Sequence, residues 1–145
     1  MARTVALHDF YAVHYTLAML RNSTGPYDHG FPQDKWETAK AEAKAVLAQC
    51  ARQRQMIPYS DFVKKIHSIH IKHHDPRLFH FLGEVSAEES AAGRGMLTAL
   101  VVHKHGDMQP GPGFFELAHS LGHDTSDILK FWIKEVKRVF AVWKP

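Results

Sequence analysis

Apolar residues recur every three or four positions over most of this chain, which is the spacing of one face of an α-helix. The pattern predicts a first helix from about Thr4 to Arg21 and a second from about Gln33 to Gln55, separated by a glycine- and proline-rich loop from Asn22 to Pro32. The two apolar stripes are Phe10, Val13, Leu17 and Leu20, then Trp36, Ala39, Ala43, Val46 and Cys50. The small residues of the second stripe favour two helices packed antiparallel. A homodimer through the second helix is the alternative.

Pro58 interrupts the helical pattern, because the residue before a proline is disfavoured in a helix. Ser60 is a favourable N-cap for a third helix, which the apolar spacing predicts from Asp61 to about Ile71. The pair Asp75-Pro76 then predicts the start of a short fourth helix.

The chain changes character after Ser86. Ser86-Ala87-Glu88-Glu89 is a capping box and predicts another short helix that ends at Gly93. The apolar run from Met96 to Val102 predicts a buried strand, and the best candidate for its partner is Gln55 to Tyr59. The glycines and prolines between Gly106 and Gly113 predict a surface loop.

Two helices complete the predicted fold. Phe114 to Leu121 takes up helical spacing before Gly122 stops it, and a last helix runs from about Ser126 to Trp143. The apolar positions of the last helix are Ile128, Leu129, Trp132, Val136, Val139, Phe140 and Trp143. The sequence therefore predicts an α+β fold, mostly α, in which residues 1–55 form a helical pair and residues 56–145 a unit with a small sheet. At 145 residues the chain is expected to be one domain.

Composition narrows the class of protein. The single cysteine, Cys50, excludes an intramolecular disulfide framework and fits a reducing compartment. No apolar run reaches the length of a membrane span, so we expect a cytoplasmic protein with no membrane partner. The formal net charge is +3 and the pI about 9.0, which permits an anionic partner. Basic residues form two groups: Lys64, Lys65, Lys72 and Arg77, then Lys130, Lys134, Lys137 and Arg138.

From Met56 to Gly122 the order of elements resembles a winged-helix domain, specifically the DNA-binding half of the O6-alkylguanine-DNA alkyltransferases and their alkyltransferase-like relatives. Met56-Ile57-Pro58-Tyr59-Ser60-Asp61-Phe62 is similar to that family's opening, and Met96 to Val102 and Gly106 to Gly113 match its strand and its wing. Leu97-Thr98-Ala99-Leu100 stands where the family carries a Pro-Cys-His-Arg nucleophile motif. Because alkyl transfer needs a thiolate, the resemblance implies DNA binding without alkyl repair.

The Gly93 to Gly122 segment also resembles small uncharacterised bacterial proteins that share an LxALVV…PGxGF pattern. The winged-helix resemblance implies a non-catalytic protein of bacterial type that binds double-stranded DNA, with the short fourth helix toward the groove. The residues it places at DNA are Arg77, His80 and Arg94, with Lys104 and Gln109 on the wing.

Two alternatives remain open at this point. One is a small protein-interaction module that uses the aromatic residues of the Tyr27 to Phe31 loop or the second helix. The other is a histidine-based, metal-dependent enzyme, since His67, His70 and His74 would share one face of the predicted third helix. His103 and His105 would share a strand face, and Asp107 is close enough to orient one of them as a general base. The leading interpretation includes no cofactor and no metal.

Overall fold

The computed structural model describes residues 23–24 and 27–145. Its helices are α1 (Gln33–Arg52), α2 (Tyr59–Lys64), α3 (Pro76–Ala91), α4 (Pro112–Ser120) and α5 (Ile128–Val142), with a 3₁₀ helix at Leu97–Leu100. Its strands are β1 (Ser23–Thr24), β2 (Tyr27–Asp28), β3 (Phe31–Pro32), β4 (Ile57–Pro58) and β5 (Val101–Val102). Helices predominate, and the predicted α+β, mostly α class is confirmed. The predicted helix from Thr4 to Arg21 lies outside the described residues.

The segment predicted as a loop from Asn22 to Pro32 contains three short strands. β1 pairs with β2 and β2 with β3, both antiparallel. The turn between β2 and β3 places His29 at φ 51° and Gly30 at φ 85°. Two successive residues with positive φ are typical of the tight turns that join antiparallel strands. The β2–β3 hairpin leads directly into α1.

Helix α1 confirms the predicted second helix, but its buried face differs from the predicted stripe. Trp36, Ala39 and Ala43 are buried as expected, whereas Val46 and Cys50 are only half-buried. The inner positions further along are Leu47, Ala48 and Ala51. The predicted stripe follows a 3.5-residue repeat, while a straight helix has 3.6 residues per turn. Toward the end of the helix, the inner positions therefore lie one residue later in the sequence than the stripe predicts. The fully buried residues of this face therefore pack against other parts of the same chain.

Helix α2 is much shorter than predicted. It begins after Pro58 instead of at a Ser60 cap, and it ends at Lys64. The backbone N–H groups of His67 and Ser68 donate to the Glu42 carboxylate of α1, at 3.3 and 2.9 Å. A continued helix would need those N–H groups for its own carbonyls, so the bonds to Glu42 favour a non-helical path. β-branched and histidine residues are also weak helix formers.

The early end of α2 removes the predicted histidine face. His67, His70 and His74 lie in the irregular segment from Lys65 to Asp75 and are all exposed. Among the described residues, no group of three histidine, cysteine or acidic side chains is placed to hold a metal ion. The shared helix face on which the alternative of a metal triad depended is therefore wrong.

Helix α3 joins two helices that the sequence predicts separately. Its start at Asp75-Pro76 is confirmed, since the Asp75 carboxylate accepts the Arg77 N–H at 2.9 Å. The predicted capping box at Ser86 is wrong: Ser86 is buried inside the helix, where its hydroxyl accepts the Thr98 N–H at 3.2 Å and bonds the Thr98 hydroxyl. A serine favours helix starts because its hydroxyl seeks a backbone N–H, and Thr98 supplies one from outside the helix.

The predicted strand Met96 to Val102 is mostly a 3₁₀ helix, and only Val101–Val102 is strand. Its predicted partner segment is confirmed: Ile57 pairs with Val101 and Pro58 with Val102, in parallel. The 3₁₀ helix packs against α1, α3 and α5, and its residues are buried. A short, wholly buried apolar run has no periodicity that distinguishes a strand from a helix.

The predicted wing, Gly106 to Gly113, covers most of the connection from β5 to α4 and the first two residues of α4. Helices α4 and α5 confirm the two predicted C-terminal helices. On α5 the buried residues are Phe131, Glu135, Val136 and Val139, and Trp132 is half-buried. Ile128 and Leu129 were expected inside but are 47% and 46% exposed. The apolar stripe of α5 is therefore wider than the face that packs on the core. None of the helices in the described part of the chain has the length and apolar character to cross a bilayer.

Candidate functional site

Arg77, predicted to meet DNA, is bonded within the protein. Its Nε and Nη2 atoms donate to both carboxylate oxygens of Asp75 at 2.7–3.2 Å. Its Nη1 donates to the His29 carbonyl at 3.3 Å, and the guanidinium carbon lies 4.4 Å from the centre of the Phe31 ring. The hydrogen bonds from Arg77 lower the pKa of Asp75 to about 2. Arg77 thus ties the β2–β3 hairpin to the start of α3, and a phosphate would compete with these partners.

His80 lies one turn further along α3 and faces the same hairpin. Its ring stacks on that of His29, with 4.7 Å between centroids and 17° between planes. The Nδ1 atom of His80 is buried and has no hydrogen-bond partner among the described residues. Burial, and then the neighbouring His29, lower the pKa of His80. The ring is therefore held neutral, which is poor for attracting a phosphate.

Arg94 follows the C-terminal end of α3. Its guanidinium donates to the two carboxylate oxygens of Glu89 at 2.6 and 3.0 Å. The Glu89 side chain is 2% exposed, so Arg94 neutralises a buried carboxylate. Arg77 and Arg94 lie at opposite ends of α3, whose 16 residues make it about 24 Å long. The structure does not bring these two arginines together.

Lys104 and Gln109 lie in the loop between β5 and α4. Lys104 is exposed, and Gln109 is held by its backbone: its carbonyl accepts the His103 N–H and its N–H donates to Asp107, both at 2.9 Å. The Asp107 carboxylate also contacts His103 Nδ1 at 3.0 Å, as predicted. The predicted strand face shared by His103 and His105 is wrong, because β5 ends at Val102. These contacts shape the loop, and Lys104 is the lysine that projects from it beside the exposed Asp107.

A buried charge cluster between α1 and α3 was not predicted. Lys40 Nζ contacts Glu84 and Glu88 at 3.2 and 2.8 Å, and Lys44 Nζ contacts Glu88 at 2.9 Å. Trp36 Nε1 donates to Glu84 at 3.2 Å. The sequence did carry a signal: Lys40 and Lys44 are four residues apart on α1, as Glu84 and Glu88 are on α3. We call these four charged residues the Lys40 cluster.

The outer side of α5 carries a different kind of positive charge. Lys130, Lys134, Lys137 and Arg138 are all exposed, and none has a carboxylate within ion-pair distance among the described residues. At 100° per residue they fall within about 100° of the helix circumference. We call these four residues the α5 basic face. An open groove of about 740 Å³ runs beside it, lined by residues of α5 and of the segment from His123 to Asp127.

The acidic residues beside the α5 basic face are engaged elsewhere. Asp127 caps α5 by accepting the Lys130 N–H at 3.1 Å, and Asp124 accepts from the Ser126 hydroxyl at 2.7 Å. Glu135 points inward and accepts the Met96 N–H at 2.7 Å. These carboxylates keep their charge and line the groove with the α5 basic face, but none lies within ion-pair distance of its four cations.

Comparison with protein-family models, with curated proteins and with solved structures finds no match to this chain. The winged-helix resemblance accordingly stays a prediction, and a proposal about function has to come from the residues themselves.

Proposed function

We propose that the protein is a non-catalytic, nucleic-acid-binding protein whose contact surface for double-stranded DNA is the α5 basic face. The observation that supports this is the arrangement of four exposed cations on one helix side, beside an open groove, with no ion-pair partner in the described part of the chain. The function is the one predicted from the sequence, but the proposed contact surface does not include Arg77, His80 or Arg94.

Exchanging an internal carboxylate for a phosphate would cost free energy at Arg77 and at Arg94. A phosphate that bound Arg77 or Arg94 would have to replace a hydrogen-bonded carboxylate, and the buried Glu89 would keep only the more distant Lys44 Nζ, at 3.9 Å. The lysines of the α5 basic face lose only water when they meet a phosphate. Release of condensed counterions from the duplex then drives binding.

Spacing also suits a phosphate backbone. Lys130 and Arg138 are eight positions apart, about 12 Å along the helix axis. Duplex DNA carries one negative charge per about 1.7 Å of its axis, so all four cations can lie close to phosphates at once. Such contacts position a protein on DNA without reading bases, so we expect little preference between sequences.

Titration of a labelled duplex at two or more salt concentrations tests this function. We expect a dissociation constant of roughly 1–100 μM near physiological salt, with a log–log salt slope of about −0.9 per phosphate contact. Replacing Lys130, Lys134 and Lys137 with glutamine should weaken binding strongly and shallow the slope by about 2–3 units.

The matched control removes the same charge from the other basic group, with Lys64, Lys65 and Lys72 replaced by glutamine. This control should keep most of the affinity and the slope. Absence of binding at low salt, or equal losses in the two triple variants, would refute a dedicated DNA surface on α5. Lys104→Ala serves as a single-site comparison and should change the affinity less than the α5 triple variant.

A further inference from the structure

A cavity of about 210 Å³ opens between α3, α4 and the loop that precedes α4, and it shares no residue with the α5 basic face. Its apolar walls are Leu78, Phe79, Leu82, Phe114 and Leu117. A cavity of about 150 Å³ with walls of this kind is large enough for benzene. The size here therefore suits a single ring with a short substituent.

Two of the polar groups on the cavity wall are already satisfied. The Thr98 hydroxyl bonds the Ser86 hydroxyl, and both oxygens of Asp75 are held by Arg77. His73 and His74 are at the rim and exposed, where solvent can reach them. These groups do not require a charged or strongly polar ligand.

Tyr59 is different, because its hydroxyl accepts a hydrogen bond but donates none to the described residues. The hydroxyl oxygen accepts the Gly111 N–H at 2.8 Å, but among the described residues its hydrogen has no acceptor. Burial raises the pKa of Tyr59, so the group stays protonated and remains a donor. A hydroxyl that is half satisfied on an apolar wall favours a ligand with a hydrogen-bond acceptor.

Two glycines allow the backbone to approach the cavity closely on this side. The Phe79 ring lies so close to Gly113 that a Cβ atom at that position would overlap it. At Gly111, a Cβ atom would come to 3.5 Å from both the Tyr59 hydroxyl and His103 Nε2. Backbone therefore forms the wall on this side, and the Tyr59 hydroxyl reaches it.

We propose that this cavity binds a small, uncharged, mostly apolar ring molecule that accepts one hydrogen bond from the Tyr59 hydroxyl. The apolar walls match the ring, and the one open donor matches one acceptor atom. A cation would lose its hydration without a free carboxylate, since Asp75 is already paired. An anion would meet only the exposed imidazoles of His73 and His74, for which water competes. A nucleoside carries polar atoms on several edges, and most of them would be left unpaired on these walls.

The probes for the experiment differ only in their polar group: ethylbenzene has none, acetophenone has one acceptor, and benzoate has a negative charge. Adenosine is included as the polar heterocycle. We expect acetophenone and ethylbenzene to shift the amide resonances of cavity residues in a titration, with acetophenone bound about two- to ten-fold more tightly, as one neutral hydrogen bond implies. Benzoate and adenosine should produce no such shifts. Cavity shifts with neither neutral ring, or with benzoate or adenosine alone, would overturn the proposal.

Tyr59→Phe is the decisive variant, because it removes only the hydroxyl. Its affinity for acetophenone should fall to that for ethylbenzene, while its affinity for ethylbenzene stays as in the wild type. The unchanged ethylbenzene affinity also shows that the cavity is still formed. An undiminished preference for acetophenone would refute the role of Tyr59.

A second variant, Leu82→Trp, fills the cavity and should abolish binding of both neutral rings. Leu129→Trp is its matched control, since it makes the same change at an exposed position on α5. Binding that survives Leu82→Trp in the folded protein would place the ligand elsewhere and overturn the proposal. The Tyr59→Phe result decides the question even if Leu82→Trp does not fold.

Discussion

At the scale of single residues, Lys40 combines deep burial with a full charge. Its side chain is 5% exposed, and its Nζ lies within 3.2 Å of Glu37, Glu84 and Glu88. Burial opposes the charge, but the hydrogen bond from Lys40 to Glu88 and the charges of the three carboxylates outweigh it and raise the pKa of Lys40. The ammonium therefore stays charged at neutral pH, where it holds α1 against α3.

Lys40→Met should be strongly destabilising. It leaves the carboxylates of Glu84 and Glu88 without their shared partner, and breaking a buried pair from one side costs about 3–5 kcal/mol. Urea unfolding at neutral pH measures this loss. Lys35→Met on the exposed side of the same helix is the control and should change stability by about 0.5 kcal/mol or less. A loss of stability in Lys40→Met no larger than that in Lys35→Met would contradict this prediction.

At the scale of elements, the β2–β3 hairpin is fastened to α3 by a histidine pair. The rings of His29 and His80 stack, and His29 Nε2 lies 3.7 Å from Glu84. Burial is the main cause that lowers the pKa of His29, with Asp28 opposing and Arg77 adding to the decrease. Burial and His29 lower that of His80, with Glu84 opposing. The hairpin is thus docked on α3 through two neutral imidazoles.

The free energy of unfolding should therefore fall in mild acid. Both histidines have a lower pKa in the folded protein than the ordinary 6.5, so the stability they contribute is present above pH 6.5 and is lost as the pH falls below it. Urea unfolding at pH 7.5 and at pH 5.5 measures the difference. The double variant His29→Asn, His80→Gln should lose less stability between these pH values than the wild type. Asparagine is chosen because it tolerates the positive φ of His29. Equal losses in both proteins would contradict the prediction.

Elements with strong local signals were predictable, and elements fixed by distant contacts were not. The start of α3 at Asp75-Pro76 and the end of α4 before Gly122 follow from local capping chemistry. The end of α2 at Lys64 depends on Glu42, and the place of Ser86 inside α3 depends on Thr98. Neither partner is near in sequence, so capping rules alone gave the wrong boundaries.

The candidate binding surfaces, too, could be predicted only in part from the sequence. The α5 basic face could be recognised as a group of cations in the sequence, because helical periodicity places those residues together. Asp75 and Glu89 are only two and five residues from Arg77 and Arg94, so these ion pairs are local. The burial of Glu89 and the hydrogen bond from Arg77 to the His29 carbonyl depend on the fold and could not be recognised. The cavity beside Tyr59 was not visible either, because its walls come from segments that are far apart along the chain.

At the scale of the whole molecule, the 3₁₀ helix Leu97–Leu100 is the point where the main helices meet. It packs against α1, α3 and α5, and all four of its residues are buried. Its contact with α5 includes a hydrogen bond from Trp132 Nε1 to the Ala99 carbonyl, at 2.8 Å. Because one short segment joins three helices, we expect these helices to unfold together.

Trp132→Ala tests this coupling. The half-buried indole and its hydrogen bond are both lost, so the free energy of unfolding should fall by about 2–4 kcal/mol. The comparison is made in a Trp143→Phe background, so that the fully buried Trp36 on α1 is the one tryptophan left in Trp132→Ala. Its fluorescence and the far-ultraviolet circular dichroism of the helices should give the same lowered denaturation midpoint. Trp132→Phe, which keeps a ring but not the hydrogen bond, should fall between the wild type and Trp132→Ala. A Trp36 transition that stays at the wild-type midpoint while the circular dichroism shifts would show that α5 unfolds alone and that the 3₁₀ helix does not couple the three helices.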